Sequence, residues 1–111
     1  MRDREEARKR AHELVSRMTL EEKASQLRYD APAIPRLGIP AYNWWNEGLH
    51  GAARAGTATS FPQAIGIAAA FDRELTEEMG RITAVEGRAK YNSSCAQGDR
   101  DIYKGLTFWS P

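Results

Sequence analysis

The densest chemistry in the chain is a ten-residue stretch, Tyr42-Asn43-Trp44-Trp45-Asn46-Glu47-Gly48-Leu49-His50-Gly51. Trp and Tyr offer flat apolar faces on which the C–H face of a sugar ring can lie. Asn, Glu and His bring donors and acceptors for hydroxyl groups. An ionised Glu47 can accept from two neighbouring hydroxyls at once, with the added strength of a charged acceptor. The glycines let backbone approach closely. Each residue also has a plainer reading. Two adjacent Trp in a strand point to opposite faces, which assigns at least one of Trp44 and Trp45 to the core. Glu47 reads equally as a solvated charge or as the partner of Arg54, and His50 as a structural residue.

Other chemistries lack their residues. Glu47-x-x-His50 has the spacing of a di-iron helix ligand pair, but it occurs once, between glycines, with no second copy. There is no His-Glu-x-x-His and no pair of cysteines, so a zinc site lacks ligands and no metal or cofactor is expected. Phosphate-binding and dinucleotide-binding glycine patterns are absent, and Ser60, Ser93 and Ser94 lack a Gly-x-Ser-x-Gly setting. Asn92-Ser93-Ser94 is a glycosylation sequon, with meaning only in a eukaryotic secreted protein. Cys95, the single cysteine, excludes an internal disulfide and reads as an idle thiol.

The cluster must be positioned by the elements around it. Ala7, Ala11, Leu14, Val15 and Met18 recur at helical spacing and predict an amphipathic helix over residues 4–17 with a charged, solvated outer face. Thr19-Leu20-Glu21-Glu22 is a capping box, opening a second helix from Leu20 to about Arg28 that buries Leu20, Ala24 and Leu27. Pro32, Pro35 and Pro40 bracket an extended crossing. Ala41 to Trp45 is a predicted strand, and Glu47 to Pro62, with its glycines, a loop. The apolar run Ala64 to Phe71 fits a strand buried on both faces. Asp72 caps a helix over about 73–91 with Leu75, Met79, Ile82, Val85 and Ala89 as its buried stripe. Asn92 to Lys104 reads as a loop and Leu106 to Trp109 as another strand. Strands alternating with helices imply an α/β fold with a parallel sheet. The Glu47 cluster then lies at the carboxyl end of a strand, where such folds bind ligands.

Composition sets the bounds. The 111 residues suffice for one small domain with a modest core. Sixteen basic and fifteen acidic residues give a net charge of +1, far from the dense positive field that nucleic acid or an anionic membrane would require. No run approaches the roughly 20 apolar residues that span a bilayer. Met1-Arg2-Asp3-Arg4-Glu5-Glu6 contains no apolar core of a signal peptide, so none is expected at this end.

Six segments carry a resemblance to a known family. They are Arg17-Met18-Thr19-Leu20-Glu21-Glu22-Lys23, Arg36-Leu37-Gly38-Ile39-Pro40, Trp44-Trp45-Asn46-Glu47-Gly48-Leu49-His50-Gly51, Phe61-Pro62-Gln63-Ala64-Ile65-Gly66, Glu86-Gly87-Arg88-Ala89 and Gly105-Leu106-Thr107-Phe108-Trp109-Ser110-Pro111. In this order they resemble the opening of family 3 glycoside hydrolases, over about Arg10 to Pro111. The resemblance implies that residues 1–111 are the first strands and helices of a (β/α)8 TIM-type barrel, incomplete as they stand. Such a barrel takes about 250 residues.

Many β-glucosidases of the family carry an Asp-Gly-Pro segment here, whose Asp binds the sugar at the cleavage point. The Trp-x-Glu-x-x-His-Gly form resembles instead the β-xylosidase branch. It implies that Glu47, with Trp45 and His50, binds substrate and that Glu47 is not the nucleophile. Retaining glycosidases need two carboxylates about 5–5.5 Å apart; in the family both come from later segments, expected beyond Pro111. So do the Lys-His pair and the Arg-rich segment that hold the sugar. The expectation is part of an enzyme cleaving terminal β-linked sugars, β-xylosides ahead of β-glucosides, inactive by itself. Its partners would be a saccharide or β-glycoside and the remainder of the barrel, with neither nucleic acid nor membrane. The rival readings are a sugar-binding module without the chemistry and an inactive truncation.

Overall fold

The computed structural model describes residues 3–52 and 54–110. Met1 and Arg2 of the leader reading, Ala53 of the loop and Pro111 of the last motif lie outside the described residues. The chain forms two compact units, one running up to Tyr42 and the other from Asn43.

The first unit opens with α1 (Arg4–Ser16), close to its expected bounds. Asp3 caps it by accepting from the Glu5 amide at 3.0 Å. The capping box forms as the sequence requires: Glu22 N–H donates to Thr19 Oγ1 at 3.2 Å, and Thr19 N–H donates to Glu22 Oε2 at 2.9 Å. It opens α2 (Leu20–Ser25), which stops short of Arg28. Gln26 explains the stop: its side-chain amide turns out to the Pro32 carbonyl at 3.0 Å, tying the helix end to the proline segment.

That proline segment is not extended throughout. Pro35–Leu37 form one 3-10 turn, closed by Gly38 in the left-handed region at φ 66°. The turn brings Ile34 and Ile39 into an antiparallel bridge. The proline at the first turn position supplies the φ a helical turn needs and loses no hydrogen bond there. Two short strands, β1 (Asp30–Ala31) and β2 (Tyr42–Asn43), pair beside it, and the first unit ends within β2. Ala31 and Ile34 are the buried apolar residues of this unit among those described.

One carboxylate organises the first unit. Glu22 serves the cap and also receives the Arg36 guanidinium, whose Nε donates to Glu22 Oε1 at 2.8 Å and whose Nη2 donates to the Arg17 carbonyl at 2.9 Å. The Arg36 hydrogen bond, then the Thr19 amide, hold the Glu22 carboxyl down from its ordinary 4.5 to about 2.

In the second unit the run Ala64 to Phe71 is a helix, not a strand: α3 (Ala64–Ala68). Ala64, Ala68, Ala69 and Ala70 give the run the strongest helix former at half its positions. An eight-residue apolar run fits either element, and here propensity decides. The helix α4 (Arg73–Ala96) begins where expected, with Asp72 accepting from the Leu75 amide at 2.9 Å, but outruns its expected end. Asn92 to Ala96, read as loop, belong to it. Its stop signal is Gly98 at φ 73°, with Gly98 N–H bonded to the Cys95 carbonyl at 3.0 Å and Asp99 N–H to the Ser94 carbonyl at 2.9 Å. These are the two bonds of a Schellman cap.

The predicted strands at 41–45 and 106–109 are also corrected. The first reduces to Tyr42–Asn43, because the Asn43 side chain accepts from the Trp45 amide at 2.9 Å and turns the chain. The second reduces to one parallel bridge between Glu47 and Trp109. The apolar stripes expected to be buried are largely open: Leu20, Leu27, Ile65 and Val85 are exposed, and the described residues supply no layer over them. No described helix is long and apolar enough to cross a membrane.

Two outcomes test this packing. A Cβ on Gly87 would lie 2.5 Å from Phe108 Cζ, whereas one on Gly80 of the same helix meets nothing within 4 Å. Gly80→Ala should therefore stabilise the chain by about 0.5–1 kcal/mol. Gly87→Ala should destabilise it by about 1–3 kcal/mol, since Phe108 must move. Urea midpoints followed at 222 nm decide it, and equal shifts for the two variants would contradict the contact. The second outcome concerns acid. Because the Glu22 pKa lies below its unfolded value, its contribution is complete above about pH 4.5 and is lost as pH falls through about 2. Glu22→Gln should lower the urea midpoint at pH 6 and converge with wild type near pH 2; a difference independent of pH would remove the ion pair from the account.

Candidate aromatic and carboxylate cleft

The site lies wholly in the second unit, and backbone pairing builds it. Trp109 N–H donates to the Asn46 carbonyl at 3.1 Å, and Gly48 N–H donates to the Trp109 carbonyl at 3.0 Å. Asn46 reinforces the join from a nearly buried position, 9% exposed. Its side-chain amide donates to the Gly105 carbonyl at 3.3 Å and its Oδ1 accepts from the Glu47 amide at 2.9 Å. Phe108 closes the floor by packing against Gly48 and Gly87, both too crowded for a larger residue to enter freely.

The result is a cleft of about 380 Å³ lined by Trp44, Trp45, Asn46, Glu47, Thr107, Phe108 and Trp109. Both Trp44 and Trp45 line it, and neither is buried, at 40% and 52% exposed. The expectation that one belongs to the core fails. It assumed strand alternation, and the chain has already turned at Asn43. Trp109, 68% exposed, joins them from the far segment.

Glu47 stands in the cleft wall, its side chain 37% exposed, and Arg54 Nε pairs with its Oε1. The reading of Glu47 as the partner of Arg54 is borne out, and the paired carboxylate also lines the cleft. Arg54 comes from a loop that α4 fastens down. Glu86 accepts from the Thr59 amide at 2.9 Å and from the Thr59 hydroxyl, and Lys90 Nζ donates to the Ala55 carbonyl at 2.7 Å. The Thr59 hydroxyl, then its amide, hold the Glu86 carboxyl below its ordinary range, with Lys90 adding to the effect. Gly51, at φ 132°, lies so close to the Thr59 carbonyl that a Cβ would sit 2.3 Å from it.

His50 is placed apart from this cleft. Its Nδ1 lies 3.0 Å from the Phe61 carbonyl, and its own carbonyl accepts from the Phe61 amide at 2.8 Å. It lines an adjoining cavity with Leu49, Phe61, Met79 and Thr83. Of the three substrate-binding candidates, Trp45 and Glu47 therefore share a wall and His50 braces the loop behind them. Asn46 was among the donors and acceptors the sequence offered; Arg54, Tyr103 and Trp109 were not assigned to the site. Arg54 was visible only as a possible partner of Glu47, and the others depend on contacts between residues more than fifty apart.

The arrangement suits a polyhydroxylated ring. Three indoles give faces for C–H groups, and the Glu47 carboxylate and Arg54 guanidinium give an acceptor and donors side by side. Among the described residues Glu47 is the one acidic residue lining the cleft. Among the described residues no group of three or more His, Cys, Asp or Glu could hold a metal ion.

No protein-family model and no solved structure matches the chain. Curated proteins do. It is 47% identical over 93% of its length to a probable β-D-xylosidase 7 of Arabidopsis thaliana. It is 45% identical over 92% to β-D-xylosidase 1 of the same plant. To a xylan 1,4-β-xylosidase of Xylanibacter ruminicola it is 44% identical over 95%. The chain spans 14%, 13% and 12% of the length of these relatives. It is therefore a sequence relative of the β-xylosidases, matched along one segment of them rather than over their length.

Proposed function

We propose that this chain works as the opening segment of a longer retaining glycoside hydrolase of the family 3 type, which removes terminal β-linked xylose. The segment would supply the first strands and helices of a (β/α)8 barrel and one wall of the substrate site. The observation that carries the reading is Glu47, held by Arg54 in the wall of a cleft faced by Trp44, Trp45 and Trp109. In this role Glu47 accepts from sugar hydroxyls and the indoles bear the ring's apolar face. The curated relatives, named as xylosidases from one plant and a bacterium, support xyloside over glucoside as the substrate. Chain length at position 47 points the same way: a glutamate reaches further than an aspartate and would crowd an exocyclic carbon, which a pentose lacks. His50 would act on substrate only indirectly, through the loop it braces.

The chemistry itself requires a second carboxylate about 5–5.5 Å from the first of the catalytic pair. Among the described residues the cleft has Glu47 as its one carboxylate, and a substrate-binding role uses it without supplying either member of that pair. The 111-residue chain should thus show no turnover of nitrophenyl β-xyloside above background. Turnover that copurifies with it and vanishes in Glu47→Ala would overturn this. In the full-length protein carrying the segment, Glu47→Ala should lower kcat/KM by about 10- to 150-fold, the worth of charge-assisted hydrogen bonds. Equal kcat/KM for wild type and variant, on xyloside and glucoside alike, would take Glu47 out of the site.

A further inference from the structure

Tyr103 holds a backbone conformation that its residue type disfavours, at φ 67°. Among the described non-glycine residues only Phe71 shares a positive φ. Such a conformation is unfavourable for a residue with a Cβ and persists where surroundings enforce it. At Phe71 the side chain is almost wholly exposed. At Tyr103 the surroundings are specific. Its N–H donates to the Trp45 carbonyl at 3.0 Å, fixing it to the cleft segment. Its ring lies 5.5 Å from the Arg54 guanidinium carbon, within the range of a cation–π contact. Arg54 in turn pairs with Glu47. A turn needing only the left-handed backbone is served by glycine or asparagine. Here a ring occupies the position and meets a cation.

We propose that Tyr103 is a positioning residue for Glu47: its ring carries the Arg54 guanidinium that orients the carboxylate in the cleft wall. The same tyrosine is anchored to Trp45 through its backbone, so one residue registers the aromatic wall and the charged pair against each other. Without the ring, Arg54, whose side chain is 59% exposed, is free to swing into water, and Glu47 loses the contact that fixes its rotamer. Lysine is a poor replacement for Arg54, because its ammonium is a compact point charge without the planar face and fixed fork of the guanidinium.

This inference rests on Glu47 being a substrate-binding carboxylate, and the experiment separates the two. Steady-state hydrolysis of nitrophenyl β-xyloside is measured for the full-length protein carrying the segment. The variants are Tyr103→Asn, Tyr103→Phe, Arg54→Lys, Glu47→Ala and the double variant Tyr103→Asn/Glu47→Ala. Tyr103→Asn, which suits the left-handed backbone, should lower kcat/KM about two- to fivefold, the size of an exposed cation–π contact. Tyr103→Phe should recover most of that loss, and Arg54→Lys, in an exposed loop, should reproduce it. In the Glu47→Ala background Tyr103→Asn should have no further effect, since residues acting through one contact are not additive. Additive losses, or a Tyr103→Phe as poor as Tyr103→Asn, would overturn the proposal while leaving Glu47 in place. A neutral Glu47→Ala would overturn the reading of the carboxylate itself, and the positioning role with it.

Discussion

The cleft depends on the pairing of Asn46 and Gly48 with Trp109, two backbone hydrogen bonds between segments some sixty residues apart. Closing a loop of that length is entropically unfavourable, and a single parallel bridge does not offset it. Three further contacts do: the Asn46 side chain on Gly105, the Tyr103 amide on Trp45, and Phe108 packed on Gly48 and Gly87. Together they fix the aromatic wall, because Trp45, Glu47 and Trp109 are carried by the very residues that pair. A buried amide such as Asn46 is costly unless satisfied. Here its donor side and its carbonyl side both have partners, so it specifies the register instead of weakening it.

Charge does different work in the two units. Glu22 and Arg36 join a helix cap to a 3-10 turn, and the carboxylate's lowered pKa records how many donors converge on it. Glu47 and Arg54 are more open, and an exposed pair of that kind contributes little to stability. Its value is positional. The helix α4 spends two of its side chains, Glu86 and Lys90, one turn apart, on the backbone of the loop that delivers Arg54. A loop made of Gly51, Ala52, Gly56 and small residues has no core of its own, and side chains from a rigid helix replace one.

What the sequence made legible follows a physical division. Local signals were readable: the Thr19–Glu22 capping box, the Asp72 cap and the start of α4 are written within a few residues each, whereas the face of α4 was not, since Leu75 and Val85 of its expected stripe are exposed and Gly87 is its buried residue. The Trp-Trp-Asn-Glu cluster was legible as a candidate beside its plainer readings, and the structure adds that its four residues line one cleft. Strands were not legible at their true length. A strand is defined by its partner, and the partners of residues 41–45 and 106–109 are short or single bridges here. The run Ala64 to Phe71 failed for a different reason: an alanine-rich run is apolar and helix-forming at once, and periodicity cannot separate those in eight residues. Arg54 was legible as a possible partner of Glu47, and the pair forms, whereas Tyr103 was out of reach: a tyrosine with a positive φ is invisible until the backbone is seen.

The exposed apolar residues fall into two kinds, and the difference bears on function. Leu20, Leu27, Ile65 and Val85 are aliphatic side chains on or beside helices, at spacings that suit packing against another layer. Trp44, Trp45 and Trp109 are aromatic, gathered in one cleft, and set beside a charged pair. Water penalises both, but only the second group has polar atoms placed to give a ligand direction. An aliphatic layer laid over the indoles would desolvate Glu47 and Arg54 without replacing their hydrogen bonds, which is costly for charged groups. A ring bearing hydroxyls on its edge and C–H groups on its face covers the indoles and satisfies the pair together. In the proposed function that complementarity, more than the volume of the cleft, is what favours a saccharide over a hydrophobic partner at this wall.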